Sequence, residues 1–173
     1  MEACPYKKIY FNSESSVSQK CIFCLPRLEE GVVNACARQC PGRVHFVGYL
    51  DDPKGPIHRL VNEFKVALPL HAEYGTEPNV FYVPPYSPPR LDESGTPTEV
   101  PRIPLGYLES LFGKGVQAAM NTLEVERNKR QNGQPSELMD ILISRNWLDR
   151  FGPFTKSPRE AKALADKKRG QRK

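Results

Sequence analysis

The sequence predicts an α+β chain in which short strands and turns surround a cysteine cluster, followed by a proline-rich arm and a small helical region. Four of the five cysteines fall within residues 21–40. Eight of the 17 prolines lie between Pro78 and Pro104, and prolines exclude long helices and central strands. Apolar residues recur at helical spacing only in residues 52–68 and beyond residue 105.

Length and composition limit the size of the core. The chain has 173 residues, enough for one domain and a peripheral second segment. Only 39% of the residues are hydrophobic, so we expect a small core. No run of 18 apolar residues is present to span a membrane. The first twenty residues carry charges such as Glu2 and Lys7 and lack an apolar stretch, so we expect no signal peptide of the chain's own.

The positive charge is confined to the C-terminal tail. Residues 156–173 hold eight basic and two acidic side chains, a net charge of +6, whereas the rest of the chain carries −1. A basic surface for nucleic acid is therefore not expected. We predict that 156–173 is a basic disordered tail.

Residues 1–50 read as a cofactor-binding region of short strands and turns. Ile9–Phe11 and the residues near Val17 favour two strands separated by a polar turn. Residues 25–35 form a connector, 35–39 a helical turn, and 44–50 a strand. The region has few apolar residues, so metal ligation would supply much of its folding free energy.

Residues 51–104 combine a helix, a strand and the arm. A start signal at Asp51–Pro53 and an apolar stripe predict a helix that ends at Leu68, before Pro69. Residues 79–83 predict a strand, and 86–104 a proline-punctuated arm that lies along a partner.

Residues 105–155 form the predicted helical region. Leucines from Leu105 predict a short helix that ends at Gly113, and a second helix covers 116–131. A third helix runs from Pro135 to about Gly152. No internal repeat is evident.

The cysteines follow the spacing C-x2-C-x11-C-x3-C-P, formed by Cys21, Cys24, Cys36 and Cys40, and Cys4 is also followed by proline. Thiolates select zinc or iron–sulfur clusters over hard cations. The ending C-x3-C-P matches the last part of the bacterial ferredoxin run, whereas proline is no part of the zinc pattern. Iron–sulfur is therefore favoured, with one structural zinc held by the same four cysteines as the alternative.

Two other interpretations of the cysteines remain open at this point. They could be small buried hydrophobic residues, or they could form disulfides. The odd count and the absence of cysteine after Cys40 argue against a disulfide framework. His45, His58 and His71 have no cysteine at close metal-ligand spacing, and we expect each to be structural or solvent-facing. No catalytic motif is present, so we expect a non-catalytic protein.

Basic residues flank the cysteines along the chain. A thiolate-bound cluster is anionic, and nearby cations would stabilise its reduced form. The alternative is that these side chains are ordinary surface charges. The residues concerned are Lys7, Lys8, Lys20, Arg27, Arg38 and Arg43.

An ordered series of motifs spans nearly all of residues 3–150. They are Cys-Pro-Tyr-Lys-Lys-Ile-Tyr-Phe-Asn, Lys-Cys-Ile-Phe-Cys, Ala-Cys-Ala, Cys-Pro-Gly-Arg, Val-Ala-Leu-Pro-Leu-His and Pro-Asn-Val-Phe-Tyr-Val-Pro-Pro, followed by Arg102–Pro104 and Tyr107–Leu108. Together they resemble the iron–sulfur β subunits of complex molybdoenzymes in the dimethyl sulfoxide reductase family. The chain is most similar to the nitrate reductase branch. Its short connection after Cys40 resembles the dehydrogenase, selenate reductase and chlorate reductase group.

The resemblance implies a set of cluster ligands on a duplicated ferredoxin scaffold. Cys21, Cys24 and Cys36 would share one [4Fe-4S] cluster, Cys40 would bind a second, and Cys4 a third. In the family each cluster is completed by cysteines from an N-terminal half, which the sequence lacks. We therefore expect a fragment or late start of a longer subunit; the alternative is that the missing part is supplied separately.

The resemblance also implies partners and location. The subunit would relay electrons between a molybdenum catalytic subunit, which selects the substrate, and a haem subunit, membrane-anchor subunit or other carrier. Its location would be periplasmic, by export together with a signal-bearing partner, or the cytoplasmic face of the inner membrane.

Overall fold

The computed structural model describes residues 2–163 of the chain and divides them into two compact units. The first unit combines the residues up to Gly48 with those from Asn146 onward, and the second is Tyr49–Arg145. Within the described range, short helices alternate with three two-stranded antiparallel sheets. This mixture agrees with the predicted α+β class. The predicted division at residues 50, 104 and 155 remains a prediction, and the structure groups the cysteine region with a C-terminal segment.

A hairpin opens the first unit. Strands β1 (Tyr10–Asn12) and β2 (Val17–Gln19) pair antiparallel. The side chain of Asn12 accepts hydrogen bonds from the backbone N–H groups of Glu14 and Ser15, which closes the turn locally. Both strands lie close to the positions that the β-prone residues predict.

Two short helices follow between the cysteines. Helix α1 (Leu25–Glu29) occupies the stretch predicted to be a connector, and Pro26 suits its first turn because the missing N–H is not needed there. Helix α2 (Ala35–Arg38) lies within the predicted helical turn. The strand predicted over 44–50 is not formed. The N–H of Val47 instead bonds to the carbonyl of Arg150, at 2.7 Å. Arg150 lies in a 3-10 helix, which cannot supply the repeated backbone hydrogen bonds of a neighbouring strand.

The core of the first unit joins distant parts of the chain. A 3-10 helix (Trp147–Phe151) packs against the cysteine region, and the N–H of Val33 bonds to the carbonyl of Phe154 at 3.1 Å. The C-terminal segment thereby covers the backbone between and after the cysteines. The buried core residues are Val33, Ala37, Val47, Phe151 and Phe154, with Leu28, Trp147 and Leu148 packed around them.

The third predicted helix is divided into two. Helix α6 (Glu137–Ile143) ends at Ser144, whose φ of 46° is left-handed and stops the helical hydrogen bonding. The side chain of Asn146 then accepts from the N–H of Leu148 and caps the 3-10 helix. The two pieces belong to different units: α6 lies in the second unit, and the 3-10 helix lies in the first.

The second unit begins with a helix shorter than predicted. Helix α3 (Pro56–His58) continues into a π-helical turn (Arg59–Glu63), in which Phe64 donates to the carbonyl of Arg59 at 2.9 Å. The chain then leaves the helix, and Leu68–Pro69 forms strand β3, which pairs with β4 (Phe81–Tyr82). The prediction that the helix ends at Leu68 is therefore wrong. The helical backbone ends at Glu63, because the backbone of Leu68 pairs with Tyr82 in a sheet. A 3-10 turn (Ala72–Tyr74) lies between β3 and β4.

The proline-rich arm contains a hairpin that the sequence pattern did not reveal. Strands β5 (Pro89–Leu91) and β6 (Pro97–Pro101) pair antiparallel. The carboxylate of Asp92 accepts from the N–H groups of Ser94 and Thr96, both at 2.9 Å, and so fixes the turn. Prolines are tolerated here because a two-stranded sheet consists only of edge strands.

Two helices follow at the predicted positions. They are α4 (Leu105–Phe112) and α5 (Val116–Gln131), separated at Gly113, whose φ of 74° favours glycine. Buried apolar residues of the second unit are Leu60, Val66, Ala67, Leu108, Val116, Ala119 and Leu138.

Ser136 links α5 to α6 and gives a pH-dependent prediction. Its hydroxyl accepts from the N–H of Met139 and donates to the carboxylate of Glu126 at 2.6 Å. The hydrogen bonds from Lys129 and Ser136 lower the pKa of Glu126. Because this pKa is depressed on folding, the associated stability is present above the unfolded pKa of about 4.3 and is lost as the pH falls through the folded value.

Ser136→Ala is therefore expected to cost about 1–2 kcal/mol of unfolding free energy at pH 7, and less at an acidic pH at which Glu126 is protonated. Denaturant unfolding of both proteins at the two pH values measures this. Ser110→Ala, which removes an exposed hydroxyl from α4, serves as the control. Equal costs at both pH values would contradict the predicted link to Glu126.

The described part of the tail is helical rather than disordered. Residues 158–163 have helical backbone, and Ser157 and Glu160 exchange hydrogen bonds in the manner of a capping box. The rest of the predicted basic tail, 164–173, lies outside the described residues. No helix among residues 2–163 combines the length and apolar character needed to cross a bilayer.

Candidate functional site

All five cysteines lie in the first unit as free thiols. Cys4, Cys24 and Cys40 are half-buried, and Cys21 and Cys36 are exposed. The thiols are therefore available as ligands, and the structure does not support the disulfide or buried-hydrophobic interpretations.

The two Cys-Pro pairs adopt the same local turn. The N–H of Lys7 bonds to the carbonyl of Cys4 at 3.1 Å, and the N–H of Arg43 bonds to the carbonyl of Cys40 at 3.3 Å. Lys7 and Arg43, each three residues after the cysteine, have left-handed φ values of 51° and 53°. Proline at the second position of each turn presets φ. The similarity of the two turns is not evident as a sequence repeat, because the two segments have only the Cys-Pro pair in common.

The turn surrounds the Cys4 sulfur with backbone N–H groups. The N–H of Lys8 is the largest influence that lowers the pKa of Cys4, and burial opposes it. Further lowering comes from the N–H groups of Tyr6 and Lys7 and from the positive charge of Lys7. Convergent N–H dipoles favour the thiolate, which is the form that ligates metal.

The Cys40 sulfur has an equivalent environment. The N–H of Val44 is the main influence that lowers its pKa, against a smaller opposing effect of burial. The other contributing N–H groups are those of Gly42, Arg43 and His45. Like the turn at Cys4, this loop stabilises a negative sulfur chiefly through backbone dipoles.

The C-x2-C segment forms a strained turn. Phe23 and Cys24 both have left-handed φ, at 57° and 53°, and the N–H of Leu25 closes the turn on the carbonyl of Ile22 at 3.2 Å. The N–H of Phe23 also lies 3.3 Å from the sulfur of Cys21. A left-handed non-glycine residue costs of order 1–3 kcal/mol, and such strain clusters at binding sites.

Helices α1 and α2 position the remaining ligand candidates. The carbonyl of Cys24 accepts from the N–H of Arg27 at 2.8 Å and starts α1. Cys36 lies in the first turn of α2, and Cys40 follows that helix. Ala37 is fully buried in the core, so α2 is anchored while its cysteines remain accessible.

The structure gives no support to a closed zinc site. Among residues 2–163, no three Cys, His, Asp or Glu side chains come together as ligands for one metal ion. An iron–sulfur cluster is a different case because each thiolate binds a different iron atom and the ligands are spread further apart. The amide-surrounded Cys4 and Cys40 sulfurs fit such an anionic group, since hydrogen bonds to ligand sulfur stabilise added negative charge. The distribution of the five cysteines over three clusters stays a prediction.

The flanking basic residues have mixed roles. Arg27 donates to the carbonyl of Val33, and Arg38 donates to the carbonyl of Lys156 and lies over the ring of Trp147. These two arginines therefore also hold the fold of the first unit. The Lys7 ammonium lies 3.5 Å from the Glu2 carboxylate, an exposed pair of small energetic value.

The imidazoles of His58 and His71 have local partners. His58 bonds to the carbonyl of Leu50 at 2.8 Å, and His71 bonds to Glu73 at 2.7 Å. The carbonyl of His45 accepts from Arg150. The imidazoles of His58 and His71 thus have structural contacts, and His45 contributes its backbone carbonyl.

Sequence reasoning missed one charged residue near the cysteines, Arg150. It is fully buried in the first unit although it lies more than a hundred positions after Cys40. No sequence motif includes Arg150. The one local signal of its burial is its position between the apolar residues Leu148 and Phe151.

Comparison with known proteins supports the motif-based resemblance. A family model described as a 4Fe-4S dicluster domain matches residues 1–50. The chain is 60% identical to the dimethylsulfide dehydrogenase subunit beta of Rhodovulum sulfidophilum, over 86% of this chain and 46% of that protein. It is 56% identical to the selenate reductase subunit beta of Thauera selenatis and to the chlorate reductase subunit beta of Ideonella dechloratans, in each case over 88% of this chain and 47% of the relative. The chain thus spans about half the length of these relatives.

Proposed function

The chain belongs to the iron–sulfur β subunits of the dimethyl sulfoxide reductase family of complex molybdoenzymes, and from this premise we propose that it is an electron-transfer module. Bound [4Fe-4S] clusters would supply one-electron chemistry, and the polypeptide would set their spacing, burial and charge environment. The single observation that carries this proposal is the pair of amide-surrounded Cys-Pro turns, at Cys4 and Cys40, within the region matched by the dicluster family model.

The ligand roles within this proposal follow the family pattern. Cys21, Cys24 and Cys36 would hold one cluster, Cys40 a second and Cys4 a third, each completed by cysteines outside this sequence. The five free thiols of the first unit are available for these roles. The ferredoxin-like fold of this region is part of the same proposal.

The chain itself would be non-catalytic. The five cysteines have metal-ligand roles in the proposal, and the imidazoles of His58 and His71 have local structural contacts. Substrate would be transformed in a molybdenum catalytic subunit, and electrons would pass between that subunit and a haem subunit, membrane-anchor subunit or other carrier. The complex would work either in the periplasm, after export with its partner, or on the cytoplasmic face of the inner membrane.

The second unit is proposed to contact the catalytic subunit. Its arm hairpin exposes Leu91 and Val100, and Tyr86 and Tyr107 are also exposed. Aromatic and aliphatic side chains of this kind are typical anchors of protein interfaces. The hairpin, stiffened by its prolines, would lose little conformational entropy on binding.

Metal analysis tests the proposed function. Anaerobic purification of the chain in its complex is expected to give non-haem iron and acid-labile sulfide in equal amounts, with brown absorption. Equality follows because a [4Fe-4S] cluster contains as many sulfides as irons. A colourless complex with zinc in place of iron would overturn the proposal. A preparation reconstituted without sulfide is the control for adventitious iron.

A further inference from the structure

The first unit contains a buried positive charge with unfulfilled hydrogen-bonding capacity. Arg150 is 0% exposed. Its Nη1 donates to the carbonyl of His45 and its Nε to the carbonyl of Trp147, both at 3.3 Å, but its buried Nη2 has no hydrogen-bond partner. Among the described ion pairs none includes this guanidinium. Burying a charge without a counter-charge costs desolvation free energy, so an anionic group near Arg150 would stabilise the first unit.

The Cys40 thiolate is a negative group that acts on this guanidinium. Burial lowers the pKa of Arg150, the attraction of the Cys40 thiolate raises it, and repulsion from Arg43 lowers it. The guanidinium remains charged in any case, because arginine is not deprotonated in proteins. Arg150 and Cys40 lie in the same unit, and the loop after Cys40 leads to His45 and Val47, which both contact Arg150.

Arg150 also holds the loop that follows Cys40. Its side chain binds the carbonyl of His45, and its own carbonyl accepts the N–H of Val47 at 2.7 Å. These contacts fix the end of the loop whose N–H groups surround the Cys40 sulfur. The guanidinium is oriented by the rings of Phe151 and Trp147, whose centroids lie 5.0 and 5.9 Å from its central carbon.

We propose that Arg150 is a positioning residue for the cluster bound through Cys40, and that its fixed positive charge favours the reduced state of that cluster. This inference rests on the proposed function, in which Cys40 is a cluster ligand. Reduction adds one electron, and therefore one negative charge, to the cluster. A buried cation nearby stabilises that added charge without any proton or further electron being transferred, and the surrounding core limits screening by water.

Arg150→Met and Arg150→Lys test the proposal in the assembled complex. Redox titration followed by electron paramagnetic resonance gives the midpoint potential of each cluster. We expect Arg150→Met to lower the reduced-to-oxidised ratio of one cluster at least tenfold at a fixed potential, a shift of about 59 mV for one electron. Arg150→Lys keeps the charge and is expected to shift the same cluster less than threefold. The matched control, Arg130→Met, removes an arginine paired with Asp140 in the second unit and should shift none.

The outcomes separate this inference from the proposed function. A wild-type complex without iron overturns the proposed function itself. If the wild-type complex contains clusters and Arg150→Met shifts none of their midpoint potentials, the inference about Arg150 is overturned and the proposed function stands. If Arg150→Met fails to bind clusters, Arg150→Lys decides. Normal iron content and a nearly unchanged midpoint in the lysine variant support the role of the charge, whereas loss of the cluster or a tenfold shift overturns it.

Discussion

Replacing Cys40 by serine is expected to remove one whole cluster from the complex, a loss of about four iron atoms. Serine keeps the size of the side chain but replaces the soft thiolate, which iron–sulfur clusters select, with a hydroxyl that is a poor ligand. Iron and acid-labile sulfide contents measure the loss. Gln39→Ala, next to Cys40 in the chain, is the control and should retain all the iron.

Pairs of cysteine variants test how the ligands are divided. If Cys4 and Cys40 bind different clusters, the Cys4→Ser and Cys40→Ser double variant should lose about eight iron atoms. If Cys21 and Cys36 share a cluster, their double variant should lose no more than either single variant. Additive losses for Cys21 and Cys36 would contradict the proposed ligand assignment.

Phe151→Ala is expected to lower the free energy of unfolding of the first unit by about 3–5 kcal/mol. Phe151 is fully buried among Val33, Ala37 and Val47, and its ring lies edge-on to Trp147 at a centroid distance of 5.2 Å. Truncation would leave a cavity where the C-terminal segment meets the cysteine region. The experiment is denaturant unfolding followed by the fluorescence of Trp147, the only tryptophan in the chain.

Tyr107→Ala is the matched control, because its ring is 58% exposed on α4 in the second unit. Its effect on the Trp147 transition should lie within about 0.5 kcal/mol of zero. A cost below about 1 kcal/mol for Phe151→Ala would show that the C-terminal segment contributes little to the first unit. The packing described above would then be incorrect.

Local sequence signals predicted the elements whose stability is local. Leu105–Phe112 and Val116–Gln131 are helical because apolar periodicity, a glycine break and good helix formers agree there. The hairpin at Tyr10–Gln19 follows from β-prone residues on either side of a polar turn. The ligand candidates were also visible, because the C-x2-C and Cys-Pro patterns are short enough to be read directly.

Predictions failed where a distant segment decides the local structure. Residues 44–50 have strand-like composition, but Val47 bonds to Arg150 in a 3-10 helix and no strand lies beside it. Leu68 continues the apolar helical pattern, yet it pairs with Tyr82 in a sheet. In both cases the apolar pattern does not specify the hydrogen-bonding partner. It also overstates burial in 44–50, where Val47 is buried but Val44 and Tyr49 are exposed.

The sequence by itself determined where the candidate thiolate ligands lie, because cysteine spacing and the prolines after Cys4 and Cys40 are local chemical facts. Only the tertiary structure placed Arg150 and Phe151 beside that region. The physical reason is that a turn is encoded by adjacent residues, whereas a buried charge or core contact depends on the return of a segment more than a hundred residues away.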